Sequence, residues 1–377
     1  MSKRKICCFC ERWASGGIES FLYNSLSRMD LTELEVDIVA AELEKNDLSA
    51  KLEAKGVGFI QLSGNLCNLV RNHRLFRLLL RQRQYDVVHL NLYQGLSLYY
   101  CRIARQEGVP VRIAHSHNED LRESRTRWLK LLLHRLGRRC FTGDATALWA
   151  CSEAAADFLF AGASLERKGF SFIPNGIDTE RFRFSAAVRQ MLRREMELED
   201  CLVLGHVGRL CRQKNQMFLL DVVARLAEIC PNCRLLLVGD GEERSVLEHR
   251  AAELGIGKQV IFYGSSQWVE ELLWVMDVFA LPSLFEGLAV AAVEAQAAGL
   301  PVLCAQGLSK EVKLTRKLRF LPLEAGAEAW AAEVMAMAAR NADRKADAET
   351  VRDAGFESRE TTRRIAQSYL GRNDGTA

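Results

Sequence analysis

Proline is scarce, six residues in a chain of 377, which excludes a collagen-like or proline-rich disordered protein. No run of about 18 apolar residues is present to cross a bilayer as a helix. A secretory leader is not expected either. Lys3-Arg4-Lys5 resembles the charged start of one, but the apolar stretch behind it lasts only from Ile6 to Cys10 before Glu11 and Arg12. The formal net charge of +3 is too small to announce a nucleic-acid partner. Twelve cysteines are scattered without the density of a disulfide scaffold. Cys230-Pro-Asn-Cys233 lacks a second pair or histidines at zinc spacing. The cysteines therefore read as reduced, small packing residues of a cytoplasmic chain with no metal and no cofactor.

What is present is ordinary globular material, 49% hydrophobic and 26% charged, long enough for two domains of about 150 residues or more. Short β-branched runs alternate with amphipathic stretches. Lys5–Cys10, Val36–Ala41, Val57–Leu62, Val87–Leu90, Val111–His115 and Ala147–Cys151 read as strands, with helices such as Ile18–Met29 and Leu69–Arg83 between them. The rhythm restarts with Leu202–Val207, Arg234–Val238, Val260–Tyr263, Val278–Leu281 and Pro301–Cys304, separated by helices Gln216–Ile229, Glu243–Leu254 and Leu288–Ala298. In Gln216–Ile229 an apolar stripe runs from Phe218 to Ile229. Near-continuous apolar strands between helices imply parallel sheets covered on both faces. The expected class is α/β, two doubly wound Rossmann-like domains facing across a cleft. The break falls at Pro174-Asn175-Gly176, a strong turn sequence, dividing residues 1–177 from 178–356. The last helix, about 357–377, is expected to pack back on the first domain.

In open α/β sheets ligands bind beyond the carboxyl ends of strands, and the distinctive residues collect there. Gly16-Gly17 follow the first strand and open a helix, where backbone can approach a phosphate. A plain strand-to-helix turn needs the same residues. Arg209 and Lys214 follow Leu202–Val207 before a helix that Asn215 could cap; two cations there suit a diphosphate, although solvated loop residues look the same. Glu286 lies in a loop and Glu294 within the following Ala-rich helix, one to two turns apart, on the order of 10 Å along the axis. That spacing does not suit the paired carboxylates of a glycosidase. Glutamate is seldom buried without a partner, which singles out Glu294. His115-Ser-His117 ends a strand without an identifiable third metal ligand, so a hydrogen-bonding role is expected. His89 and His206 read as core residues.

Together, Gly16-Gly17, His117, Pro174-Asn-Gly-Ile-Asp178, Gly208-Arg209 with Lys214, Val238-Gly-Asp-Gly241, and Pro282-Ser283 with Glu286-Gly287 and Glu294 resemble the retaining GT-B glycosyltransferases, family 4 type, of bacterial exopolysaccharide and capsule synthesis. Ala289 stands where that family commonly has proline. The resemblance implies a nucleotide-sugar donor, with UDP as its nucleotide, held by the second domain, and a glycan or lipid-linked acceptor held by the first. By the family pattern Arg209 and Lys214 bind the diphosphate, Glu294 the ribose and Glu286 the sugar, with Gly287 and Leu288 in the same donor loop. His117 reaches the sugar, and Gly16-Gly17 close over the phosphates. Glu286 and His117 are then the catalytic positions, without a metal. A sugar-nucleotide epimerase or a phosphorylase could use the same two-domain framework. An inactive membrane-surface scaffold of a polysaccharide assembly is the rival outside enzymology.

One segment stands apart from this chemistry. Arg122–Arg139 holds Arg122, Arg125, Arg127, Lys130, Arg135, Arg138 and Arg139 against one acid, Glu123, with Trp128, Leu129, Leu132, Leu133 and Leu136 among them. Leu69–Arg83 adds five arginines around Phe76 and Leu78–Leu80. Solvated faces of two covering helices would account for the charges. A basic amphipathic surface for an anionic membrane, on its inner cytoplasmic face, is the sharper expectation.

Overall fold

The computed structural model describes residues 3–14, 17–118, 121, 127–286, 288–340, 344 and 347–372. The expectations placed on Gly16, Gly287, Arg122 and Arg125 lie outside the described residues. The chain forms two compact units, Met1–Gly176 with Ser358–Ala377, and Ile177–Glu357.

In the first unit β1 (Arg4–Trp13), β2 (Leu34–Leu43), β3 (Gly58–Gln61), β4 (Val87–Leu92), β5 (Val111–Ser116), β6 (Ala147–Ala150) and β7 (Ser171–Phe172) form one sheet. It is wholly parallel, ordered β3-β2-β1-β4-β5-β6-β7. Cys8 on β1 stands level with Ile38 of β2 and His89 of β4. Both faces of β1 are covered, and Ile6 to Cys10 are all fully buried, so its sequence runs apolar instead of alternating. Helix Leu69–Arg83 has the limits its sequence pattern predicts. Asn68 caps its start by accepting from the Arg71 amide at 3.2 Å, and Gln84 ends it in the left-handed conformation. The C-terminal helix Ser358–Leu370 inserts Ile365 and Tyr369 into the same core as Ile6, Trp13 and Leu22. The Tyr369 hydroxyl hydrogen bonds His89 Nδ1 at 2.6 Å and lies 3.4 Å from Cys8 Sγ.

The second unit repeats the design with β8 (Leu202–Val207), β9 (Cys233–Val238), β10 (Val260–Gly264), β11 (Val278–Leu281), β12 (Val302–Ala305) and β13 (Leu318–Leu321), parallel and ordered β10-β9-β8-β11-β12-β13. Helix Gln216–Ile229 buries Leu219, Leu220, Val222, Val223 and Leu226 on this sheet. Ile229, expected in the same stripe, is 60% exposed because the helix ends there. Between the turn at Pro174-Asn175-Gly176 and β8, an arginine-rich stretch forms helices Thr179–Phe182 and Ala186–Glu195. Its charges serve the fold: Arg189 and Arg193 pair with Asp277 at 2.6 and 3.1 Å and donate to the carbonyls of Val275 and its neighbours.

Candidate functional site

In each sheet the strand order reverses beside the first strand, between β1 and β4 and between β8 and β11. Loops diverge there, leaving room for a ligand beyond the carboxyl ends. Of the site residues expected in the second unit, Arg209, Lys214, Glu286 and Leu288 fall on the segments leaving β8 and β11, and Glu294 on the helix that follows β11.

Those loops are zipped together. Leu284 N donates to Gln213 O at 2.9 Å, Gln213 Nε2 to Phe285 O at 2.9 Å, and Asn215 Nδ2 to Pro282 O at 3.2 Å. Asn215 thus does not cap the helix it precedes. It sits in the left-handed conformation with its side chain turned to the neighbouring loop. The zipper brings Lys214 Nζ within 2.5 Å of Glu286 Oε1, which also accepts from Ser283 Oγ at 2.7 Å. Glu286 is buried and Lys214 half-buried, so water screens the pair weakly.

Arg209 is placed differently. Its guanidinium is exposed and pairs with Glu242 at 2.9 Å, on the loop after β9. The glycines of Val238-Gly239-Asp240-Gly241 hold these two loops close. A side-chain carbon on Gly239 would strike the Gly208 carbonyl, and one on Gly241 the Leu210 carbonyl. The glycines therefore serve backbone contact, locked by Gly208 N to Val238 O at 2.9 Å and Leu210 N to Asp240 O at 3.0 Å.

Leu288 is buried just ahead of helix Val290–Ala297, which starts two residues later than its sequence suggests and carries Glu294. Part of the Glu294 side chain remains accessible, yet its surroundings are dry enough to lift its pKa to about 7. Burial is the main cause; Arg181 draws the value down, Glu270 pushes it up, and Lys214 lowers it slightly. Arg181 is anchored by Glu270, with Nε to Oε1 at 2.8 Å. Neither Arg181 nor Glu270 is singled out by the sequence. They sit 89 residues apart on short helices, and only the fold makes them neighbours of Glu294.

In the first unit Gly17 opens the helix Gly17–Arg28, exposed and with nothing within 4 Å of an added side-chain carbon. His117 follows β5 and is buried, with Nε2 2.9 Å from Asn91 Oδ1. Burial lowers its pKa to about 3. His89 and His206 are fully buried within their strands. Among the described residues no three His, Cys, Asp or Glu side chains gather as a metal site.

A different feature marks helix Arg127–Phe141, the described part of the basic segment. Its buried residues are His134 and Gly137. His134 Nδ1 accepts the Gly95 amide at 2.9 Å while Nε2 meets the Phe158 carbonyl at 2.9 Å, and Gly137 lies against the Gly95 backbone. The large apolar side chains point the other way: Trp128 is 69% exposed, Leu132 58% and Leu136 55%. No helix among the described residues is long and apolar enough to cross a membrane.

Two doubly wound parallel units, one carrying a Lys–Glu pair and a semi-buried glutamate at its switch point, are what the GT-B fold of glycosyltransferases requires. Sequence comparison makes this specific. The pattern of Glycosyltransferase Family 4 matches residues 15–181, and that of Glycosyl transferases group 1 matches residues 189–315. The chain is 31% identical over 362 residues to the putative glycosyltransferase EpsF of Bacillus subtilis, covering 94% of this chain and 93% of EpsF. It is 28% identical over 229 residues to an Escherichia coli UDP-Gal:α-D-GlcNAc-diphosphoundecaprenol α-1,3-galactosyltransferase, 59% of this chain and 58% of that enzyme. Among solved structures, Anabaena HepE in complex with UDP superposes with a TM-score of 0.75 at 19% identity, over 98% of this chain and 100% of HepE. The chain belongs to the family 4 type of group 1 glycosyltransferases.

Proposed function

We propose that the protein is a retaining glycosyltransferase that moves a sugar from a UDP-sugar to a lipid-linked or glycan acceptor in cell-surface polysaccharide synthesis. The observation that carries this reading is the Lys214–Glu286 pair beside Glu294 at the β8/β11 switch point. Lys214 has three N–H donors, so it can hold Glu286 and a phosphate oxygen together. Arg209, exposed on its loop, swings from Glu242 to the same diphosphate. Glu294 accepts from the ribose hydroxyls, Glu286 orients the sugar, and His117 contributes a contact from the first unit. Gly287 and Leu288 line the donor loop, and Gly16-Gly17 approach the phosphates. The donor's C1–O bond to phosphate breaks as the acceptor oxygen bonds C1 on the same face, and the acceptor proton passes to the departing phosphate. Orientation and fixed positive charge supply the catalysis. The two cations do the work a divalent metal would do, so turnover is expected to persist in chelator.

HepE was solved with UDP, and the E. coli relative uses UDP-Gal and a diphosphoundecaprenol acceptor by name, which favours UDP and a lipid-linked acceptor. A panel of UDP- and GDP-sugars against lipid-linked acceptors, read by product mass and anomer, tests this. Transfer from a UDP-sugar with retained configuration supports it. Epimerised donor without transfer, or inverted product, contradicts it.

The helix Arg127–Phe141 suggests where the enzyme works. Its exposed Trp128, Leu132 and Leu136 are interspersed with the exposed cations Lys130, Arg135 and Arg139, and the helix holds no acid. An anionic bilayer matches both features, by apolar burial and about 1 kcal/mol per cation near the surface. A second copy docking here would bring like charges together. The expected result is sedimentation with phosphatidylglycerol vesicles, weakened by salt and by Lys130→Gln with Arg135→Gln. Failure to bind at low salt, or self-association through this face, removes the membrane claim and leaves the transferase.

A further inference from the structure

The hydrogen bonds around His117 determine which of its nitrogens carries the proton. Asn91 on β4 is fully buried. Its Nδ2 donates to the Phe9 carbonyl on β1 at 3.3 Å, and its Oδ1 lies 2.9 Å from His117 Nε2. A backbone carbonyl only accepts, so the amide nitrogen must face Phe9 and the amide oxygen must face the histidine. That oxygen also only accepts, so the proton sits on Nε2. The buried imidazole is neutral at ordinary pH, which leaves Nδ1 as a bare lone pair. Nδ1 is buried and has no hydrogen-bond partner. The ring is held in place by Phe21 of helix Gly17–Arg28, 5.0 Å between centroids, and by His115, 4.0 Å.

A buried acceptor without a donor is costly, and such atoms mark places completed by something the folded chain does not supply. Among the described residues nothing supplies that donor. The titratable groups nearby are His115 on β5 and His89 on β4, whose Nε2 lies 3.1 Å from His115 Nδ1; Tyr369 closes that chain from the C-terminal helix. These groups bond one another and pack against His117 through the His115 ring.

We propose that Asn91 is a positioning residue that locks His117 in the Nε2–H form, so that Nδ1 accepts a hydrogen bond from a hydroxyl of the transferred sugar. The sugar as ligand rests on the glycosyltransferase reading; the protonation pattern does not. The consequence is selectivity. A donor sugar with hydrogen, fluorine or O-methyl in place of that hydroxyl has no proton to give and leaves Nδ1 unpaired.

The test is nitrogen NMR of the full chain labelled at histidine, with transfer assays alongside. His117 is expected in the Nε2–H form throughout about pH 5 to 8, and its Nδ1 resonance is expected to move on adding the accepted UDP-sugar but not UDP alone. Asn91→Asp places a negative charge against Nε2–H and favours the doubly protonated ring, which turns Nδ1 into a donor. Transfer by that variant should fall roughly tenfold near pH 6, the worth of one buried hydrogen bond, and recover as the pH rises. A monodeoxy donor series should show one position where loss of the hydroxyl costs wild type as much as Asn91→Asp does. A wild-type His117 protonated on Nδ1 overturns the assignment. So does an Asn91→Asp rate equal to wild type at every pH. An unmoved Nδ1 resonance with a donor that is turned over removes the sugar contact while the transferase stands. Absence of any transfer defeats the transferase reading, and the NMR form still decides the role of Asn91.

Discussion

Glu294 is a carboxylic acid poised near neutrality, and its pKa of about 7 has two opposite consequences. The native state holds this proton more tightly than the unfolded chain does. The group therefore contributes stability that is complete below about pH 4.5 and lost as the pH rises through about 7. Glu294→Gln should gain on wild type in urea titrations across that window. With the proposed ribose contact, ligand binding is expected to run the other way, because an ionised carboxylate accepts from two hydroxyls and the acid cannot do so equally well. UDP affinity should rise between about pH 6 and 8, and Glu294→Gln should lose that component; the same slope in the variant would assign the ribose contact elsewhere. Arg209 differs in kind from its neighbours. Its ion pair with Glu242 is exposed on both sides, so Arg209→Ala should leave stability within about 0.5 kcal/mol of wild type while weakening donor use. A large loss of melting temperature would make it structural.

At the scale of elements, two glycines in comparable loops are expected to respond differently. Gly239 has φ of +134° and its side-chain carbon would strike the Gly208 carbonyl, so Gly239→Ala should cost about 1–3 kcal/mol of folding stability. Gly17 has open space around it, so Gly17→Ala should fold normally and lose transfer only if a ligand needs that space; urea curves with assays separate the two. Most elements are legible in the sequence because their apolar periods are strong. Helices Leu69–Arg83 and Gln216–Ile229 have the limits their patterns predict. β7 and β13 are not legible: two- and four-residue edge strands are too short to show a period. The site is legible where it follows strand ends, as with Lys214 and Glu286. It is hidden where distant segments meet, as with Arg181 and Glu270 beside Glu294, or Asn91 against His117. The basic helix shows a third case, since its leucine stripe would serve equally to cover the domain or to face outward, and the fold leaves it exposed. Its packing instead uses His134 and Gly137, which periodicity of apolar residues cannot reveal.

For the whole molecule, the same winding is used twice, and the last helix belongs to the first unit. That unit carries His89, His115 and His117 buried and neutral, with pKa about 3 for the first and last and lowered well below 6.5 for His115. A depressed histidine pKa contributes stability above its unfolded value, near 6.5, that is lost as pH falls toward 3. Acid unfolding of the first unit should therefore begin below about pH 6, and His89→Gln with His115→Gln should shift it to lower pH in tryptophan fluorescence. The proposed donor-nucleotide contacts lie on one pair of loops in the second unit. The most direct check is calorimetric titration of UDP into wild type and Lys214→Ala. Wild type is expected to bind UDP and the variant to lose about 1.5–3 kcal/mol of that binding, the worth of a charge-assisted bond to phosphate. Equal UDP affinity in the two proteins would contradict this placement.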